Sequence, residues 1–113
     1  MQMINWVRVN ELRDEIGSED FDEVAEMFLE EVDEVIERLR TTPDSTKYEQ
    51  DLHFIKGSAM NLGFQTLGDL CQTGEKQAAI GETDGVDLGA IFAAYDNSKS
   101  EFAAQQASYR SAA

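Results

Sequence analysis

The sequence of 113 residues contains little cysteine, proline or histidine, and it has no long apolar run. Its one cysteine, Cys71, has no partner for an intramolecular disulfide. Its one proline, Pro43, leaves most of the chain open to long helices, because proline removes an amide donor and clashes with the preceding turn. No apolar run approaches the roughly 20 residues that cross a bilayer. Met1 to Asn10 also lacks the features of a signal peptide, so the sequence predicts a cytoplasmic protein without a membrane partner.

Basic residues are scarce too, since 9 Lys and Arg face 23 Asp and Glu and the net charge is −14. Nucleic acids and anionic lipids bind clusters of Lys and Arg, so this charge argues against both as partners. The simpler interpretation of the acidity is a solvated surface, and the alternative is attraction of a basic partner. The length predicts one domain over residues 1–113, expected to be a monomer, with a tail that frays from about residue 108.

Glycines and small polar residues divide the chain into five predicted helices. We predict that Ser18 caps the second helix and that Thr46 and Glu49 form a capping box for the third. Gly63 suits a left-handed cap at the end of the third helix. The predicted helices run over Asn5–Ile16, Asp20–Arg40, Thr46–Leu62 and Gln65–Ile80, with the last beginning near Asp87.

The second helix shows the clearest amphipathic pattern, with an apolar stripe at helical spacing between Phe21 and Leu39 and acidic residues between its members. No segment shows the alternation of a strand. Four long helices joined by short loops predict an all-α fold, an antiparallel up-down-up-down four-helix bundle with a short extra N-terminal helix.

The only histidine, His53, lies on the third helix. On a helical wheel the core stripe of this helix consists of Tyr48, Leu52, Ile55, Ala59 and Leu62. His53 falls about 150° from the centre of that stripe, which predicts an exposed side chain. An exposed histidine is usually an ordinary surface residue, so its neighbours decide the interpretation.

Three neighbours of His53 at helical spacing favour a functional site. Gly57 costs the helix about 1 kcal/mol relative to alanine, but it leaves the approach to the imidazole open. Lys56 places an ammonium where an anion on the ring would lie, and Met60 offers an adaptable apolar surface. A neutral imidazole is a competent nucleophile near pH 7. The pattern therefore predicts a residue that accepts a phosphoryl group from another protein and passes it on.

The segment from His53 to Gly63 resembles the signature of the histidine-containing phosphotransfer (HPt) domain family. In that signature, lysine and glycine follow the phosphorylated histidine at three and four residues, and a leucine-glycine pair ends the helix. The resemblance extends over most of the chain, including Leu67, Leu70, Cys71 and Glu75 in the next helix. Gly74 departs from it, because a larger apolar residue is expected there, and this suggests close helix packing or local looseness.

The resemblance implies that His53 carries the phosphoryl group, that Lys56 assists it electrostatically and that Gly57 keeps it accessible. It implies a phosphocarrier in a two-component multistep phosphorelay, without ATP-dependent kinase activity of its own. The expected partners are response-regulator receiver domains and a hybrid histidine kinase. No cofactor is expected on this chain, and magnesium is expected on the receiver. The residues expected to contact the partner are Glu49, Gln50, Met60, Asn61 and Phe64.

Other interpretations remain open at this stage. The chain could be a helical adaptor that binds a receiver domain without accepting phosphate. Phe64 could instead pack in the core, and Cys71 is expected to be a small core residue. The carboxylates of the second helix have no histidine or cysteine partner, so no metal site is predicted.

Overall fold

The protein is all-α over the part of the chain that the structure describes. This computed structural model describes the backbone of residues 3–112 and the side chains of residues 3–107. Five α-helices and two short 3-10 helices form within this range, without a strand, as the sequence predicts. They are α1 (Trp6–Ile16), α2 (Ser18–Thr41), α3 (Tyr48–Leu62), α4 (Gln65–Ala79) and α5 (Leu88–Ala112), with 3-10 helices at Ser45–Lys47 and Thr83–Gly85.

The helix ends confirm some sequence predictions and correct two. Gly17 (φ 85°) and Gly63 (φ 89°) both adopt the positive φ that side chains disfavour, and they end α1 and α3 as expected. The predicted cap by Ser18 is wrong, because Gly17 is itself the N-cap of α2 and Ser18 is already helical. The predicted capping box of Thr46 with Glu49 is also wrong. Asp44 instead accepts hydrogen bonds from the amide and hydroxyl of Thr46, which forms the 3-10 turn before α3.

The core forms where the apolar stripes of the helices meet. The predicted stripe of α3 is confirmed by four of its residues, which are all 3% exposed or less, whereas Tyr48 is only partly buried. Most of the α2 stripe is buried against it. The four buried residues of the α3 stripe are Leu52, Ile55, Ala59 and Leu62.

Contacts between consecutive helices match an antiparallel arrangement. Arg38 near the end of α2 binds Asp51 near the start of α3. Leu52 in α3 lies against Gly74 in α4, and Met60, two turns later, lies against Gly68, two turns earlier. In the last helix, α5 contacts α2 through an ion pair between Lys99 and Asp33.

Trp6 stacks on Phe102 of α5 with ring centroids 6.5 Å apart, so it anchors α1 at one end of the bundle as expected for a large aromatic residue. The backbone of α5 is helical through Ala112. The expected fraying from residue 108 stays a prediction, and the side chains of that segment lie outside the described residues. Among the helices the structure describes, none has the length and apolar content needed to cross a membrane.

Candidate functional site

His53 stands on the outer face of α3, as the helical wheel predicts. Its side chain is 68% exposed, while Leu52 and Ile55 on the same helix are completely buried. The buried side of α3 therefore fixes the helix in the core, and its opposite side presents the ring of His53 to solvent.

Glu75 of α4 holds one nitrogen of this ring. The Nδ1 atom of His53 lies 2.7 Å from Oε1 of Glu75. A carboxylate can only accept a hydrogen bond, so Nδ1 carries the proton and donates it. The remaining nitrogen, Nε2, then carries the lone pair in the neutral ring, and it has no hydrogen-bond partner among the described side chains. The geometry thus selects the tautomer in which the unbound nitrogen of an exposed ring carries the lone pair.

Lys56 binds the second oxygen of the same carboxylate. Its Nζ atom lies 2.8 Å from Oε2 of Glu75, so His53 and Lys56 share Glu75 between them. The pKa of Glu75 is lowered chiefly by the Lys56 ammonium, against the opposing effect of desolvation, and His53 lowers it further. The carboxylate is therefore held in its charged form, which is the form that accepts the proton of Nδ1.

Gly57 leaves the space beside His53 empty. A Cβ atom built on this glycine would meet nothing within 4 Å, and the residue is exposed one turn after His53. Its absence of a side chain therefore does not serve packing inside this chain. It clears a surface over which another molecule can approach the imidazole.

Four of the five residues predicted to contact a partner lie at least partly at the surface. Glu49 and Gln50 border a shallow depression together with His53, and Asn61 is exposed further along α3. Met60 is half-buried, with its sulfur and terminal methyl group lying over Gly68.

The prediction that Phe64 contacts a partner is wrong. Phe64 is 1% exposed, and its ring packs edge-on against Phe102 at 5.6 Å. The left-handed turn at Gly63 directs the chain inward after α3, so helical spacing no longer describes the position of Phe64. Its role is in the core.

Sequence reasoning missed the part that Glu75 plays in the site. His53 and Glu75 are 22 positions apart in the sequence, and only the packing of α4 against α3 brings them together. Helical periodicity predicts which face of each helix is buried, but it does not predict which side chains meet across the contact. The family resemblance includes Glu75 in the helix that follows His53, but it assigned this carboxylate no role at the histidine.

Neither a metal ligand set nor a reactive thiol accompanies His53. The described residues contain no cluster of three or more His, Cys, Asp or Glu side chains able to hold a metal ion. Cys71 is buried in the core as predicted, and burial together with the charge of Glu75 raises the pKa of its thiol to about 12. The thiol therefore stays protonated near neutral pH, and the exposed nucleophile is the imidazole.

Comparison with known proteins bears on most of the bundle. The family model described as Hpt domain matches residues 23–101, which include all of α3 and α4. A search of curated proteins and a search of solved structures each gave no match. The matched segment contains His53, Lys56, Gly57 and the Glu75 that holds the ring. The match covers well over half of the sequence, and the chain belongs to the Hpt domain family.

Proposed function

We propose that this chain is a phosphocarrier of a multistep phosphorelay, which accepts a phosphoryl group on His53 from the aspartyl phosphate of one receiver domain and passes it to another. The observation that carries the proposal is the exposed ring of His53 with Nδ1 bound to Glu75 and Nε2 left without a partner among the described side chains. Membership of the Hpt domain family supports the same reaction class.

The transfer begins with the lone pair of Nε2. Nε2 attacks the phosphorus of the aspartyl phosphate, an N–P bond forms, and the P–O bond to the aspartate breaks. The aspartate leaves as a carboxylate with the bonding electron pair. No proton has to move, because Nδ1 keeps its proton and the ring becomes a cation. The reverse sequence of bonds delivers the phosphoryl group to the next receiver.

Glu75 and Lys56 support both directions of this exchange. The Glu75 carboxylate at 2.7 Å from Nδ1 stabilises the positive charge that the ring gains on phosphorylation. A ring that keeps its Nδ1 proton is also the better leaving group in the return step. Lys56 orients the carboxylate through its ion pair and adds positive charge near the phosphoryl oxygens.

The rest of the catalytic machinery comes from the partner in this proposal. Phosphoryl transfer depends on in-line positioning and on neutralising charge, and magnesium on the receiver would supply much of the latter. The donor upstream would be a hybrid histidine kinase, and this chain would have no ATP turnover of its own. A monomer in the cytoplasm fits a chain with one buried thiol and a strongly acidic surface.

The proposal is tested by incubating the chain with a phosphorylated receiver domain and magnesium. We expect an acid-labile, base-stable adduct on the chain and its absence in His53→Gln. The sequence has one histidine, so loss of the label in His53→Gln identifies the phosphorylated residue. Circular dichroism of His53→Gln should match the wild type, since the side chain is exposed.

Two results would contradict the proposal. Labelling that persists in His53→Gln would move the reaction to another residue. Binding of a receiver domain with no transfer under conditions that phosphorylate other carriers would favour the adaptor function. Phosphorylation of Nε2 rather than Nδ1 is checked by the ¹H–¹⁵N correlations of the imidazole.

A further inference from the structure

A groove between α2 and α3 runs beside His53. We call it the α2–α3 groove, and it is lined by Glu31, Glu34, Val35, Arg38, Gln50, Asp51 and Phe54. Phe54 follows His53 directly in α3 and is 39% exposed, which is unusual for a large aromatic side chain beside a polar site. Gln50 also borders the depression that contains His53, so the groove and the histidine form one continuous surface.

The charge of this groove is negative. Its only cation, Arg38, binds Asp51 through two hydrogen bonds of 2.7 and 2.9 Å, so the two charges offset each other. Glu31 and Glu34 are exposed on α2, and neither has an ion-pair partner among the residues that the structure describes. The exposed ring of Phe54 therefore shares the groove with the carboxylates of Glu31 and Glu34, whose charges are not offset.

The opposite side of His53 offers a partner less exposed apolar surface. There Lys56 is paired with Glu75, and the Met60 side chain lies over Gly68. These contacts already use the polar and apolar groups that face α4. A protein that brings its phosphoryl group to Nε2 must cover the surface around His53, and the exposed apolar area available to it lies toward α2.

We propose that the α2–α3 groove selects the receiver domains that exchange phosphate with His53, by taking an apolar side chain against Phe54 and lysine or arginine side chains against Glu31 and Glu34. This inference rests on the proposed function and adds the chemistry of the partner. Complementary charge accelerates encounter, and its effect weakens as salt screens it. Apolar contact at the centre of an interface mainly slows dissociation.

The test compares phosphoryl transfer from a phosphorylated receiver domain with direct phosphorylation by phosphoramidate, a small donor that needs no docking. The groove variants are Glu31→Lys/Glu34→Lys and Phe54→Ala. The matched control, Glu11→Lys/Glu101→Lys, makes the same charge change at exposed positions of α1 and α5 that do not line the groove. Transfer is measured at several ionic strengths, from roughly 0.03 to 0.3 M, where screening changes strongly.

We expect the groove double variant to lose at least tenfold in kcat/KM at low ionic strength, and less at high ionic strength. Phe54→Ala should raise KM about tenfold with a smaller effect on kcat. The control should retain kcat/KM within about threefold, and all variants should react with phosphoramidate at the wild-type rate.

Other results would separate the two proposals. Equal losses in the groove and control variants would show that only net charge matters, and would overturn the groove. If neither ionic strength nor the groove substitutions changed kcat/KM for transfer, the role of the groove would also be overturned, while the proposed function would remain intact. A wild-type chain that took phosphate from neither donor would contradict the proposed function, and this inference with it.

Discussion

Two carboxylates flank His53, and they are used in different ways. Asp51, on the α2 side, is 5% exposed and both of its oxygens are bound by the guanidinium of Arg38. Glu75, on the α4 side, gives one oxygen to Lys56 and the other to the imidazole. Both groups join neighbouring helices. Only the second includes the side chain that the proposed reaction would modify.

The difference separates a structural ion pair from a functional one. An arginine stays charged at every physiological pH, and Asp51 raises the pKa of Arg38 further, so that pair has one state. In the proposed function the Glu75 carboxylate meets a ring that is neutral before transfer and cationic once it is phosphorylated, so its interaction changes with the state of the site. Similar ion-pair geometry thus fixes the fold on one side of His53 and responds to chemistry on the other.

The largest expected effect comes from breaking the structural pair. Arg38→Met should lower the free energy of unfolding by about 2 to 3 kcal/mol, because it leaves the buried Asp51 carboxylate without its partner. Urea denaturation measures the loss. Phosphorylation of His53 by phosphoramidate should stay near the wild-type rate in the folded protein.

Arg40→Met is the matched control on the same helix. Arg40 binds Asp96 through two hydrogen bonds, but Asp96 is 56% exposed, so water can replace the arginine. We expect a loss of less than about 1 kcal/mol. Equal losses in the two variants would mean that burial of the carboxylate does not distinguish the two pairs.

Filling the space beside the functional pair should slow transfer from a receiver domain about 100-fold. In Gly57→Leu the new Cβ atom meets nothing within 4 Å and the position is exposed, so the helix should be unchanged or more stable by up to about 1 kcal/mol. Gly57→Ala is the control with a smaller group. A Gly57→Leu variant that transfers at the wild-type rate would contradict the role of Gly57 in keeping the ring accessible.

Removing the charge of the functional pair should have a smaller effect. Glu75→Gln should slow transfer about tenfold, or roughly 1.4 kcal/mol, because the amide cannot stabilise the cationic ring. The ¹⁵N shifts of His53 should report a mixture of tautomers in place of the Nδ1–H form. Asp69→Asn, on the exposed face of the same helix, should leave both readouts unchanged.

The smallest effect concerns acid stability. Because the folded state lowers the pKa of Glu75 below its ordinary value of 4.5, this residue stabilises the fold above that pH. The contribution is lost as the pH falls through the lower, folded-state pKa. The stability difference between wild type and Glu75→Gln should therefore shrink below pH 4.5, as measured by urea midpoints. A difference that grew on acidification would have the wrong sign.

The fold and the exposed half of the site could be predicted from the sequence. The apolar stripe of α3 and the glycine at its end determine which way His53 points, and both features are local. The regular geometry of an α-helix also places Gly57 one turn after His53 on the same face, whatever the positions of the other helices. These predictions depend only on residues within one helix.

The interactions between helices could not be predicted in this way. Glu75 meets His53 because of how α4 lies against α3, and periodicity leaves that offset undetermined. Phe64 follows Gly63, which ends α3, so helical spacing does not decide between the core and the surface, and its prediction as a partner contact was wrong. Before α3, the backbone amide of Thr46 donates to the side chain of Asp44, and not to Glu49 as the predicted capping box requires.

Gly74, in the middle of α4, allows α4 to lie close to α3 beside the proposed site. A Cβ atom on Gly74 would come within 2.8 Å of a methyl group of Leu52, so α3 and α4 are in close contact at this point. Leu52 precedes His53 and Gly74 precedes Glu75, which places the reacting ring and its carboxylate one residue beyond the contact on each helix. The distance between imidazole and carboxylate is thus set from inside the core, at a position that a docked protein would not reach.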